Sequence, residues 1–310
     1  MSEAQSSLPF PTVGSVGNED LTQAIRESAM LVDITVSEWQ GFVTDRKVSE
    51  KVKQDAGAIG DAGKFRKNVL AGADAGLKKV QNAYRAVRDI TKKYTLQWYD
   101  PRHPSDGPRL LPLAFYDEFI KALAKQKLEA ETARDEFLVD YAATVAKAKA
   151  NLGALADDGD YPTPDEIKGR FRLSLDFTPI PSGAEFRGLP ENTLDRLSKR
   201  LDSRHRAKIN EAQAEMWARV KERVRVLVDR LDDPEASFHA STVEKLRDLI
   251  RMLPGFNAVG NDPRVDEIVA DIDRLLDGVD AEAMRKDNVL RRGVAAQGKA
   301  VADKMSKWGL

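Results

Sequence analysis

Cysteine is absent from this 310-residue chain and histidine occurs three times. The first absence removes disulfide frameworks, thiolate zinc and cysteine nucleophiles together, and it agrees with a reducing, cytoplasmic setting. His103, His205 and His239 stand far apart. No histidine pair has the spacing of a helical zinc site, and neither G-x-S-x-G nor S-x-x-K occurs, so no catalytic residue, metal ligand or cofactor site is assigned. No apolar run approaches the roughly 18 residues of a membrane-spanning helix, and the start, M-S-E-A-Q-S-S-L-P-F-P, lacks the basic and apolar regions of a signal peptide. Neither a membrane nor a small-molecule substrate is therefore expected as a partner.

What is present is charge and helix-forming residues. Charged residues make up 32% and hydrophobic ones 42%, the usage of long solvent-washed helices. The net charge of −1 conceals segregation: Asp45–Trp98 carries 13 Lys or Arg against 6 Asp or Glu, and 229–282 carries 6 against 14. The last stretch, 283–310, has 7 against 2. Such blocks can pair within a chain, pair between copies, or face a polyanion.

Two stretches alternate with period two and read as strands. In one, Phe171, Leu173, Leu175 and Phe177 oppose Arg172, Ser174, Asp176 and Thr178, until Pro179 and Pro181 end it. Val32, Ile34 and Val36 alternate in the other, and its unpaired backbone groups make it the natural neighbour of the first. Elsewhere the periods are helical. Leu70, Leu77, Tyr84, Thr91 and Trp98 recur every seven residues, with Ala73, Val80, Val87 and Tyr94 between them, predicting a helix with an a/d seam. A second helix is predicted from Ala114 to Leu152, folded back on the first, after a loop running from Tyr99 to Pro112. Leu194, Leu197, Leu201, His205, Ile209, Met216, Leu227 and Leu231 mark a third, nearly straight helix. Helices follow from a capping box at Ser241–Glu244 to Pro254-Gly255, from Asp262-Pro263 to Gly278, and from about Ala281 to Trp308.

The expected fold is mainly α: an elongated helical hairpin or bundle with a two- or three-stranded β element near the middle of the chain. Residues 1–18 read as a flexible tail, 19–190 as the hairpin with its sheet, and 191–310 as the long helix and a helical C-terminal region.

Gly57, Gly60, Gly63 and Lys64 lack the spacing and hydroxyl of a phosphate loop, and so read as a helix-breaking loop. The acidic turn Asp157–Asp160 lacks oxygen ligands at the first positions of a calcium loop and reads as a solvated turn. Lys64, Arg66, Lys67, Lys78, Lys79, Arg85, Arg88, Lys92 and Lys93 form a basic arm with Tyr84, Tyr94 and Trp98 interleaved, the residue types that neutralise phosphates and stack on bases. Leu194, Leu201, Met216 and Leu227 are candidate interface positions along the third helix.

The strings D-Y-P-T-P-D-E-I, F-R-L-S-L-D-F-T-P-I-P, A-E-F-R-G-L-P and V-D-I-T-V-S-E-W, with the helices between them, resemble a family of helical proteins encoded by tailed phages and mobile elements. The resemblance covers about Leu31 to Pro190. It implies a phage or prophage origin, the host cytoplasm or the virion as location, and a place near DNA-handling genes. It carries over no catalytic residue. Two functional readings follow: a non-enzymatic assembly or interaction protein, forming homo-oligomers or binding partner helices, and a nucleic-acid-binding protein using the basic arm.

Overall fold

The computed structural model describes residues 18–60, 63–98, 107–182, 185–186, 188–233, 239–258, 261–277, 282, 284 and 287–309. The tail at 1–17, His103 and Gly278 lie outside them. In chain order the elements are α1 (Asn18–Ser28), β1 (Ala29–Ser37), β2 (Phe42–Thr44), α2 (Arg46–Asp55), β3 (Arg66–Asn68), α3 (Ala75–Tyr94), β4 (Leu96–Gln97) and β5 (Arg109–Pro112). They continue with α4 (Tyr116–Val139), α5 (Tyr141–Leu152), α6 (Pro164–Arg170), β6 (Arg172–Thr178), α7 (Glu191–Asp232), α8 (Ala240–Asn257), α9 (Arg264–Leu276) and α10 (Asn288–Lys307). The chain is mainly α, at 71% helix. No helix among the described residues is long and apolar enough to cross a membrane.

The chain forms two compact units that interleave along the sequence. The first contains residues 1–33, 94–116 and 177–310, and the second Ile34–Lys93 and Asp117–Asp176. One antiparallel sheet has the order β4-β5-β1-β6, so β1 does neighbour β6. The other neighbour of β1 was missed: Ala29 to Val32 pair with Pro112 to Arg109 of β5, inside the span expected as a loop, and β5 pairs with β4, inside the span expected as helix. Strands of two and four residues are too short for alternation to announce them.

The second unit is built on α3. The helix expected from Leu70 to Trp98 is shorter, because Gly72 turns the chain before it at φ +70° and β4 takes over after Tyr94. The seam nevertheless faces the unit's own core: Leu70, Leu77, Val80 and Tyr84 are buried with Ala130, Ala133, Phe137, Tyr141 and Ile167. Lys79 pairs with Glu136 at 2.6 Å and Gln126 donates to the Ala83 carbonyl at 3.1 Å, so α4 runs antiparallel to α3. The helix expected through Leu152 is broken at Asp140 (φ −90°, ψ 3°), where α4 gives way to α5.

In the first unit α7 packs on α8 and α10, and α9 packs on both of these. Their apolar stripes close the core through Ile209, Val220, Val224, Leu246, Ile250, Ile268, Ile272 and Val301. Two expected helix boundaries on α8 are corrected. No side chain caps its start, which lies at Ala240 and so removes the expected capping box at Ser241. Pro254 and Gly255 do not end it either; the helix runs on to Asn257 although the proline lacks an N–H and its ring crowds the carbonyl of Ile250. Gly255 serves packing instead: a Cβ there would lie 2.3 Å from Cζ of Phe115, whose ring meets Phe256 edge-on at 5.0 Å.

Candidate functional site

The nine cations of the basic arm have different fates. Lys67 is 5% exposed; its Nζ lies 2.6 Å from Asp160 Oδ2 and 3.1 Å from Asp45 Oδ2, and donates to the Leu155 carbonyl at 2.7 Å. Burial alone would lower its pKa, yet its hydrogen bonds to Asp160 and Asp45 raise it, and the amide of Val48 together with Lys67 depresses that of Asp45. Lys67 is therefore an internal tie between β3, the cap of α2 and the acidic turn, and is corrected as a nucleic-acid contact. Lys78 pairs with Asp74 at 3.0 Å, Lys79 with Glu136, and Arg85 bonds Asn82. Arg88 donates to Glu38 at 3.2 Å and to the Val36 carbonyl at 2.7 Å. Lys92 and Lys93 are exposed at the end of α3. Lys64 and Arg66 are exposed too. The interleaved aromatics Tyr84, Tyr94 and Trp98 are all buried, which removes them as stacking surfaces.

Arg66 leads to the site. On β3 it alternates with Lys67, so one side chain turns inward and its neighbour outward. The hairpin register places Arg66 opposite Thr44 and Lys67 opposite Val43. The guanidinium of Arg66 lies 5.4 Å from the ring centroid of Phe42, which is 47% exposed. The turn into β2 is set by Gly41 at φ +70°, where a Cβ would come 2.7 Å from Leu77 Cδ2. Just before it, the end of β1 is pinned to α3: Gln81 donates to the Trp39 carbonyl at 2.9 Å, and Arg88 holds Val36 and Glu38.

The opposite wall comes from more than a hundred residues further along the chain. A capping box starts α6, Thr163 accepting from the Glu166 amide and Glu166 from that of Thr163. Ile167 and Phe171 anchor this segment in the core, Phe171 lying 5.2 Å from the Tyr84 ring. Flanking the buried Phe171, Arg170 and Arg172 stay exposed, and Arg172 Nε donates to the Gly169 carbonyl at 2.6 Å.

Ser37, Glu38, Trp39, Gln40, Phe42, Arg66, Gly169, Arg170 and Arg172 line one cavity of about 500 Å³. Arg66, Arg170 and Arg172 have no ion-pair partner among the described residues, whereas Glu38 keeps its charge on Arg88. The second oxygen of Glu38, Oε2, is buried and accepts no hydrogen bond among the described residues. Such a groove offers three guanidinium forks, an open aromatic ring, a hydroxyl and an amide, which is equipment for holding an anion and a planar group. The arm reading found Arg66 but missed Arg170 and Arg172. The polar face of the β6 alternation already displayed Arg172, and nothing local joined it to Arg66.

The candidate interface residues divide in two. Met216 and Leu227, at 1% and 0% exposure, are core residues of the first unit and are corrected as interface positions; Leu194 and Leu201, near the start of α7, are half-exposed. The acidic turn is occupied by lysines, Asp160 by Lys67 and Asp158 by Lys149 at 2.6 Å. No group of His, Asp or Glu suited to a metal ion occurs among the described residues. Compared with known proteins, the chain matches no protein family, no curated protein and no solved structure.

Proposed function

We propose that this chain is a nucleic-acid-binding protein that works by binding and not by catalysis, with the arginine groove of the second unit as its contact surface. The observation that carries this reading is the convergence of Arg66, Arg170 and Arg172, from β3, α6 and β6, on one cavity whose single carboxylate, Glu38, is paired with Arg88 and not with any of them. Lys78, Lys79, Arg85 and Arg88 on α3 have partners, and the groove arginines hold their charge for a ligand. Arginine matches phosphate with two parallel donors, and each phosphate neutralised releases counterions. The resemblance to phage and mobile-element proteins near DNA-handling genes supports the same reading.

A filter-binding titration of single- and double-stranded DNA across a salt series tests it. The expected result is a steep fall of affinity with salt, with a slope reduced by about 2 in the Arg66→Ala, Arg170→Ala, Arg172→Ala triple variant, at about 0.7 per phosphate contact. Absence of binding at about 50 mM salt overturns the proposal.

The assembly reading keeps one specific support, the half-exposed Leu194 and Leu201 on α7. Light scattering decides it: a mass near the 34.4 kDa of one chain refutes self-association.

A further inference from the structure

Resting on the nucleic-acid reading above, we infer that the groove takes a single strand and seats one unpaired base on the Phe42–Arg66 pair. An exposed phenylalanine is ordinary by itself. Phe42 is informative because of its company: it lies under the Arg66 guanidinium, in the same cavity as Arg170 and Arg172. A single strand presents phosphates and base faces together, and this groove presents cations and a ring face together. A duplex keeps its base faces inside the stack and leaves Phe42 without a partner. An acidic peptide supplies carboxylates for the arginines but no aromatic face of a base's size for the ring.

The other aromatic in the wall does not compete for this role. Trp39 is buried, edge-on to Tyr141 at 6.2 Å and tilted against Phe137 at 6.4 Å, so its faces are committed to the core. Phe42 is held outward by the Gly41 turn and by a two-stranded hairpin whose other face carries the buried Lys67. The cavity, about 500 Å³, falls within the range of small-ligand sites and fits a nucleotide unit, not a double helix. Ser37 and Gln40 add a hydroxyl and an amide that can bond base edges as donors or acceptors, so tolerance of several bases is expected.

The test is fluorescence anisotropy on the full chain with a labelled oligothymidylate, a hairpin duplex of equal charge, and long-chain polyphosphate and polyglutamate as competitors. The strand is expected to bind at least tenfold tighter than the duplex. Phe42→Ala should weaken strand binding about 5- to 100-fold, the effect of losing one stacked base, and leave duplex and polyphosphate binding unchanged. Phe42→Trp should retain strand binding; matching thermal unfolding of the three proteins shows that the fold is intact. Salt-sensitive binding that ignores both strandedness and the Phe42 substitutions overturns this inference and leaves the nucleic-acid reading standing. Polyglutamate displacing the strand as well as unlabelled strand does also overturns it, in favour of an acidic peptide. Failure of strand and duplex alike to bind overturns both readings.

Discussion

In the first unit, Arg109 and Arg219 both reach Glu215, at 3.1 and 2.6 Å, and both donate to the Thr95 carbonyl. Burial pushes the Glu215 carboxyl up, and the two arginines more than reverse this. In the same unit Arg291, buried, donates to the carbonyls of Leu231 and Arg230 at 3.0 and 2.6 Å and so satisfies the last turn of α7. The second unit buries one cation, Lys67, with equal completeness, yet leaves Arg66, Arg170 and Arg172 on a single groove. The contrast separates two uses of positive charge. Where donors are consumed inside the fold they are architecture, because a buried charge persists only when paired. Where three guanidinium groups converge with no ion-pair partner among the described residues, as Arg66, Arg170 and Arg172 do, the packing of the fold gives no account of them.

Substitutions can break this comparison, and the largest effect belongs to Lys67. Lys67→Met strands Asp45 and Asp160 and should cost about 3–5 kcal/mol of stability, measured by urea unfolding, with little change in nucleic-acid affinity per folded molecule. Arg291→Met comes next, at about 2–3 kcal/mol, since it leaves the carbonyls at the end of α7 without donors. A loss under about 0.5 kcal/mol in either variant would mean that these charges are not structural.

A pH effect sharpens the picture of the first unit. His205 is buried beside Trp98 at a ring separation of 5.8 Å, and its Nδ1 has no partner among the described residues. Burial lowers its pKa below 6.5, an effect opposed by Asp202 and aided by Arg26. The unfolded chain therefore takes up the proton first, so stability should decline as pH falls below 6.5 and further towards the lower folded-state value. Unfolding curves of the unmodified chain and of His205→Gln at pH 7.5 and 5 check this; an equal pH dependence in both excludes His205 as the source. The smallest stability effect is expected from the groove itself. Replacing Arg66, Arg170 and Arg172 together by alanine should change stability by no more than about 0.5 kcal/mol each while abolishing most of the binding.

The long helices were legible because their apolar residues recur at 3.5 to 3.7 positions, and β1 and β6 because theirs recur at two; α6, only two turns long, was not. The break at Asp140 was not legible, since neither glycine nor proline marks it. Of the two short strands between Leu96 and Pro112, β4 continued the heptad pattern read as helix and β5 hid in a stretch rich in turn residues. For the groove, the decisive fact was invisible locally: R-K-N at 66–68 shows two adjacent cations, and only the core decides that Lys67 goes in and Arg66 stays out. Residue type marks the cations, and burial decides which of them stay exposed.

The interleaving of the two units also sets the order in which the chain can mature during synthesis. Trp39 and Phe171 belong to one core, so the second unit cannot close until Phe171 has left the ribosome, though nothing beyond Asp176 is required. Ala29 to Val32 of β1 belong to the first unit, whose core is incomplete until α10 is made. At about 5–20 residues per second, the first-formed strand waits several seconds for the rest of its unit after the second unit can close. Nascent chains arrested late in α7, far enough beyond Asp176 for Phe171 to have cleared the exit tunnel, should therefore already protect Trp39 and Phe171 from protease while leaving residues 107–116 open to cleavage.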